Sequence, residues 1–202
     1  MNSYDRKFIE FGNGIKSLGW GSSESQKIRF EIINNFIVTD CIDRYNAFPS
    51  VILDVGCGFG DLNRFFISKY EEIVYFGIDC KKEFIDICRN KFISIKDNFL
   101  LGNFVDYDFK KDYKFNWVIA SGTFNTYCEN WYEITKKSIE KMFNLAIDGI
   151  IINFLFLEKK EDGLISCNPS WIIDNFVNPI SKKFVMRKDY KENDFTVCIY
   201  KE

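Results

Sequence analysis

The stretch VILDVGCGFGDLNRFF, Val51 to Phe66, sets an acid and three glycines where an apolar run gives way to a helical pattern. Asp54 stands two residues before Gly56, and Gly58 and Gly60 follow at alternate positions. Glycines in such a turn let the backbone come close to a ligand. A pyrophosphate is the first ligand to weigh, because dinucleotide folds read G-x-G-x-x-G between a strand and a helix. Here the third glycine comes one position early, and the Asp54 carboxylate repels an anion in a partly desolvated cleft. The same charge attracts a ligand carrying an ammonium and a sulfonium, so the turn suits a cationic nucleoside better than a dinucleotide. A tight strand-to-helix turn with no ligand is the alternative. Asp79 lies 19 residues after Gly60, at the end of the next apolar run. A carboxylate there can accept hydrogen bonds from both hydroxyls of a ribose, or it can cap the helix that starts at Lys81.

Other chemistries lack their residues. The chain has no histidine, no G-x-S-x-G elbow and no G-x-x-x-x-G-K-[ST] loop, which argues against a serine hydrolase and a P-loop enzyme. Seven cysteines without a C-x-x-C pair or a histidine do not spell a zinc site, so no metal is expected. The cysteines read as small hydrophobes of a reducing cytosol. Lys and Arg number 27 against 29 Asp and Glu, a net charge of −2 that offers no field for a nucleic acid. The N-terminus lacks the apolar core of a signal peptide, and no apolar run approaches the roughly 18 to 20 residues of a membrane span. The expectation is a cytoplasmic protein, monomer or homodimer, with neither nucleic acid nor membrane as partner.

The elements that must position these residues alternate along the chain. Ser25 to Phe48 repeats apolar residues at helical spacing, with Ile28, Ile32, Phe36, Ile37 and Cys41, and is entered from the Ser22-Ser23 turn. SVILDVG is a buried strand, and Asp61 to Tyr70 a helix. EIVYFGID is the second strand and KKEFIDICRNKF its helix. NFLLGN and FNWVIASG are the third and fourth strands, and Trp131 to Ala146 a helix leading into DGIIINFLFL, the fifth. Strands alternating with helices imply a parallel sheet covered on both faces. KKFVMRKDY, KEND and FTVCIYKE read as two strands joined by a polar turn, a closing hairpin. At 202 residues this is one α/β domain, with residues 1–48 as a helical cap over the site and 49–202 as the core.

With these residues in view the chain resembles the class I S-adenosylmethionine-dependent methyltransferases. LDVGCGFG looks like their first motif, FGIDCKK their second, GNFVDYDF the segment flanking adenine, and FNWVIASGTFN the strand and loop after it. The resemblance covers about Glu24 to Phe156. It implies a Rossmann-like sheet of seven strands in the order 3-2-1-4-5-7-6. It also implies S-adenosylmethionine as cofactor and S-adenosylhomocysteine as product. Asp54 and the Gly56 to Gly60 backbone, with Cys57 and Gly58, would hold the methionine moiety, Asp79 the ribose, Cys80 would flank the adenine, Asn103 and Phe104 would meet its edge, and Ser121 would also bind the cofactor. Many members carry an acid where Asn103 stands; the Asn103 carbonyl can accept in its place.

GWGSSESQKIRFEI is similar to a pattern in a subset of these enzymes tied to bacterial surface-polysaccharide or small-metabolite modification, including capsule phosphoramidate methylation. By that similarity Gln26 and Arg29 lie over the methionine end, and Arg29 faces its carboxylate with a fork suited to that task. Otherwise Arg29 is a solvated helix residue, and Trp20 is either a lid or substrate wall at the cofactor site or plain packing. Methyl transfer from a sulfonium needs positioning more than a base. Without histidine, base candidates fall in SGTFNTYCENWYE: Asn125, Tyr127 and Glu129. Each has a structural alternative: fixing the loop, packing, and capping the next helix. The expected reaction is methylation of an oxygen on a small metabolite, such as a sugar, a nucleotide-linked sugar or a phosphoramidate. Nitrogen methylation and a catalytically silent cofactor-binding subunit are the alternatives. An NAD-linked oxidoreductase is weakened by Asp54 and the glycine spacing. The place of the DNA amine enzymes' [DNS]-P-P-[FYW] motif is taken by Ser121-Gly122-Thr123-Phe124.

Overall fold

The computed structural model describes residues 9, 10, 12, 22–44, 51–110, 113–157 and 163–201, with 41–44 as backbone alone. Seven strands form one sheet: β1 Val51–Val55, β2 Val74–Asp79, β3 Phe99–Leu101, β4 Phe115–Ser121, β5 Ala146–Leu155, β6 Phe184–Arg187 and β7 Asp194–Tyr200. Their order is β3-β2-β1-β4-β5-β7-β6. All neighbours are parallel except β7, which runs antiparallel to both β5 and β6. The strand order implied by the resemblance and the closing hairpin read from the sequence are therefore both present.

The central strands read as continuous apolar runs because both faces are buried. Successive side chains point to opposite faces. Leu53, Val55, Val118, Ile150 and Ile152 meet Ile139 and Met142 of α4, Trp131–Leu145, and Phe176 and Val177 beyond. Ile52, Trp117, Ile119, Ile151 and Cys198 meet the other face's helices: α1 Ser23–Arg44, α2 Asp61–Ile67 and α3 Lys82–Lys91.

Helix α1 serves two purposes along its length. Ser22 caps it, its Oγ accepting from Ser25 N at 3.1 Å. Ile33, Phe36 and Ile37 pack on the sheet, while Ser25, Gln26, Arg29 and Phe30 in its first turns reach a cleft at the carboxyl ends of the parallel strands. The expected cap is thus also a structural layer.

One helix went unread in the sequence. Asn168 Oδ1 accepts from Ser170 N and Trp171 N at 3.0 and 3.4 Å, Pro169 takes the first turn, and α5, Pro169–Ile172, continues through Ile173–Val177 as a wider turn. The segment is too short for a helical period to show, although an asparagine before a proline is a helix-start signal. Among the described residues no helix is long and apolar enough to cross a membrane.

Candidate active-site cleft

The glycine turn joins β1 to α2 with a left-handed backbone at every glycine: φ is 74° at Gly56, 53° at Gly58 and 70° at Gly60. A methyl group on Gly56 would sit 2.5 Å from Thr123 Oγ1, which is held by its own hydrogen bond to Val55 O at 2.6 Å. The turn is tied to β2, since Gly56 N and Cys57 N both donate to Ile78 O at 2.8 and 3.1 Å. Gly58 N donates to Asp79 Oδ2 at 3.1 Å. Asp79 Oδ1 accepts from Lys81 N at 2.9 Å, ahead of α3, whose cap position is Lys81 with no side-chain cap bond, so Asp79 holds the loop and does not cap the helix. This leaves the carboxylate in the cleft with lone pairs to spare.

Asp54 lies at the base of this turn, 3 % exposed, and accepts a 2.5 Å hydrogen bond from Tyr75 Oη on β2. Burial raises its pKa from 3.8 to about 7; the Tyr75 hydrogen bond opposes the rise, and the negative charges of Asp79 and Asp61 add to it. Burial also pushes Asp79 above the ordinary carboxylate value, against the pull of the Lys81 and Gly58 amides. Two carboxyls that resist ionisation side by side favour a cation between them.

The cleft has a volume of about 550 Å³ and crosses the sheet along the strand ends, from the β3 loop to the start of β7. Toward β3 lie Cys80, which is exposed, Asn103 and the buried Phe104. The Asn103 carbonyl already accepts from Val105 N at 3.0 Å, so one of the two lone pairs that the resemblance reserves for adenine is in use. Ser121 closes β4 with its Oγ buried and, among the described residues, without a hydrogen-bond partner. At the mouth Gln26 Nε2 donates to Asp61 Oδ2 at 3.3 Å, linking α1 to α2.

Arg29 is buried rather than solvated, its Nε donating to Asp194 Oδ2 at 2.5 Å. Asp194 also accepts from Asn153 Nδ2 at 2.6 Å, and the same amide reaches Tyr190 Oη at 3.1 Å. Trp20 lies outside the described residues.

Of the three base candidates only Asn125 lines the cleft. Its side chain fixes the loop, with Oδ1 accepting from Leu155 N at 3.0 Å and Nδ2 donating to Asn153 Oδ1 at 3.4 Å. Tyr127 is 66 % exposed, and its neighbour Glu129 is exposed too; neither borders the cleft. Glu129 does not cap α4 either: the cap position is Asn130, in left-handed backbone and with no side-chain cap bond.

Sequence reasoning missed Tyr75, Thr123, Asn153, Lys191 and Asp194. Asn153 and Asp194 left a trace, as a lone amide within IIINFLFL and an acid opening an otherwise buried strand. Tyr75 left none, because an aromatic in a buried strand reads as core.

Residues 52–144 match the family described as methyltransferase domain. Solved structures with a similar fold include the magnesium protoporphyrin IX methyltransferase of Synechocystis PCC 6803 with bound SAH. It is 15 % identical with a TM-score of 0.64, over 100 % of this chain and 95 % of that one. A S-adenosylmethionine-dependent methyltransferase from Clostridium acetobutylicum is 13 % identical with a TM-score of 0.66, over 98 % and 99 %. The plantazolicin methyltransferase BamL, solved with SAH and a desmethyl plantazolicin analogue, is 16 % identical with a TM-score of 0.56, over 88 % and 91 %. None of the curated proteins compared matches the sequence. The sheet order, the hairpin and these similarities define the fold as the Rossmann-like fold of the class I methyltransferases.

Proposed function

We propose that the protein is a S-adenosylmethionine-dependent methyltransferase that acts on an oxygen of a small metabolite, in one domain whose first 48 residues contribute the cap. The observation that carries the reading is the left-handed glycine turn with Asp54 beneath it and Asp79 beside it. The methyltransferase-domain match over residues 52–144 and neighbours solved with SAH support it.

The cleft residues fit the cofactor. At Gly56 a methyl group would strike Thr123, and with φ at 74° the position takes glycine, which keeps the turn tight at the base of the cleft. Asp54 and Asp79 supply negative charge for an ammonium and a sulfonium and acceptors for ribose hydroxyls. Arg29, Gln26 and the Gly56–Cys57–Gly58 backbone would border the methionine end, Cys80, Asn103 and Phe104 would continue the wall toward adenine, and Ser121 would also contact the cofactor. Bound there, S-adenosylmethionine would supply an electrophilic methyl group on a sulfonium, with a neutral thioether as leaving group. The chain's part is to orient both groups and to exclude water, since the leaving group is already activated.

An anionic acceptor oxygen has no proton to lose, consistent with a chain that has no histidine. A cytoplasmic enzyme of surface-polysaccharide or phosphoramidate synthesis is the setting suggested by the GWGSSESQKIRF pattern. Calorimetric titration with S-adenosylmethionine, S-adenosylhomocysteine and NAD tests the assignment: tight binding of the first two and none of the third is expected, and binding of NAD alone overturns it.

A further inference from the structure

The cleft divides along the sheet. If the cofactor occupies the β3-β2-β1-β4 portion, as the proposed function requires, the portion beyond it lies at the ends of β5 and β7. Leu155 closes β5, Leu157 follows it, and Leu164 pairs across to Thr126, placing three leucines along this part of the wall. Beside them stand Asn193 and Lys191 from the turn before β7.

The charges of this end differ in sign from those at the glycine turn. Asp54 and Asp79 are acidic; here Arg29 and Lys191 share the single carboxylate of Asp194. That carboxylate is already engaged by Arg29 Nε at 2.5 Å and Asn153 Nδ2 at 2.6 Å, and it lies 3.8 Å from Lys191 Nζ. Lys191 is 37 % exposed and donates to Ser25 Oγ at the start of α1. An ammonium has three donors. One is spent on a neutral hydroxyl and the ion pair is long, so the formal charge of this end is +1 at the cleft wall.

We infer that Lys191 and the leucines beside it form the acceptor subsite, and that the methyl acceptor is an apolar molecule bearing an anionic group, a carboxylate or a phosphate. A neutral sugar would leave the leucines against hydroxyls and the ammonium with only its long, shared ion pair to Asp194. An amine would be repelled by the one net positive charge that Lys191 brings to this wall. The anion answers the excess charge and the apolar body covers the leucines, so both halves of the acceptor's chemistry follow from the wall. The inference rests on the methyltransferase reading.

The test uses the full chain saturated with S-adenosylhomocysteine and titrated calorimetrically with four probes of similar size: phenylacetate, phenyl phosphate, 2-phenylethanol and 2-phenylethylamine. At least one anion is expected to bind tenfold or more tighter than the alcohol and the amine, and the tighter of the two identifies the anion. Lys191→Met is expected to bring the anion down to the level of the alcohol while S-adenosylhomocysteine affinity stays within twofold; Lys191→Arg retains the preference. Equal binding of all four probes, no binding of any, or an undiminished preference in Lys191→Met overturns the inference. A tenfold loss of S-adenosylhomocysteine affinity in Lys191→Met also overturns it, by placing Lys191 with the cofactor. Failure of the wild-type chain to bind S-adenosylhomocysteine at all removes the methyltransferase reading itself, and the acceptor subsite with it.

Discussion

Asp54 is the residue in which burial, hydrogen bonding and proposed function meet. Its pKa of about 7 in the folded chain, against 3.8 ordinarily, means that the folded state holds a proton which the unfolded state has released across that interval. The stability that accompanies a protonated Asp54 is complete below pH 3.8 and is lost as pH rises through about 7. A cationic ligand favours the ionised form and releases the proton on binding. S-adenosylmethionine affinity should therefore rise with pH up to about 7, by at most about tenfold per unit for one group, and then level off. The neutral thioether product should show a weaker rise, and Asp54→Asn should flatten the difference between the two. Calorimetry in buffers of different ionisation enthalpy reads the released proton directly, and identical pH profiles for both ligands would remove Asp54 from the cofactor's charge recognition. The acid and the glycines were legible in the sequence because their spacing is local. The Tyr75 hydrogen bond was not, since it joins two parallel strands and depends on their register.

At the level of the element, the glycine turn is a backbone held on three sides. Ile78 O takes two of its amides, Asp79 a third, and Thr123 fills the space over Gly56. Gly56→Ala should destabilise the protein by at least about 1–2 kcal/mol from the left-handed backbone alone, with a further loss from contact with Thr123. Thr123→Ala should restore part of that further loss, so melting temperatures of the two single variants and the double variant should be non-additive. Additive effects would mean that Thr123 gives way freely. Strand and helix alternation was readable throughout the core because apolar periodicity is strong there. Helix α5 escaped because its single turn carries a cap but no period. The loop after β4 lines the cleft, yet of its three base candidates only Asn125 does so; a loop's direction is set by what it packs against.

Over the whole molecule, the Arg29–Asp194 pair binds the N-terminal helix to the C-terminal hairpin across 165 residues of sequence. Both side chains are almost fully buried, at 7 % and 0 % exposure. Arg29→Met leaves Asp194, among the described residues, with only the long pair to Lys191 and should cost about 3–5 kcal/mol. For a chain of this length that is a fall of about 6–20 °C in Tm. Arg29→Met with Asp194→Leu should recover most of it, because the second change removes the stranded charge; an unchanged Tm in the single variant would show that the pair does not hold the two ends together. The sequence by itself determined the strand and helix alternation, the glycine turn and the Asp54–Asp79 constellation, all of which rest on short-range spacing and apolar period. The strand order came from family likeness, not from any period. Only the tertiary structure decided that Arg29 pairs with Asp194, that Tyr127 and Glu129 face away, and that Lys191 enters the cleft. Those outcomes depend on which distant elements pack together, and no local pattern encodes the partner of a side chain that lies more than a hundred residues away.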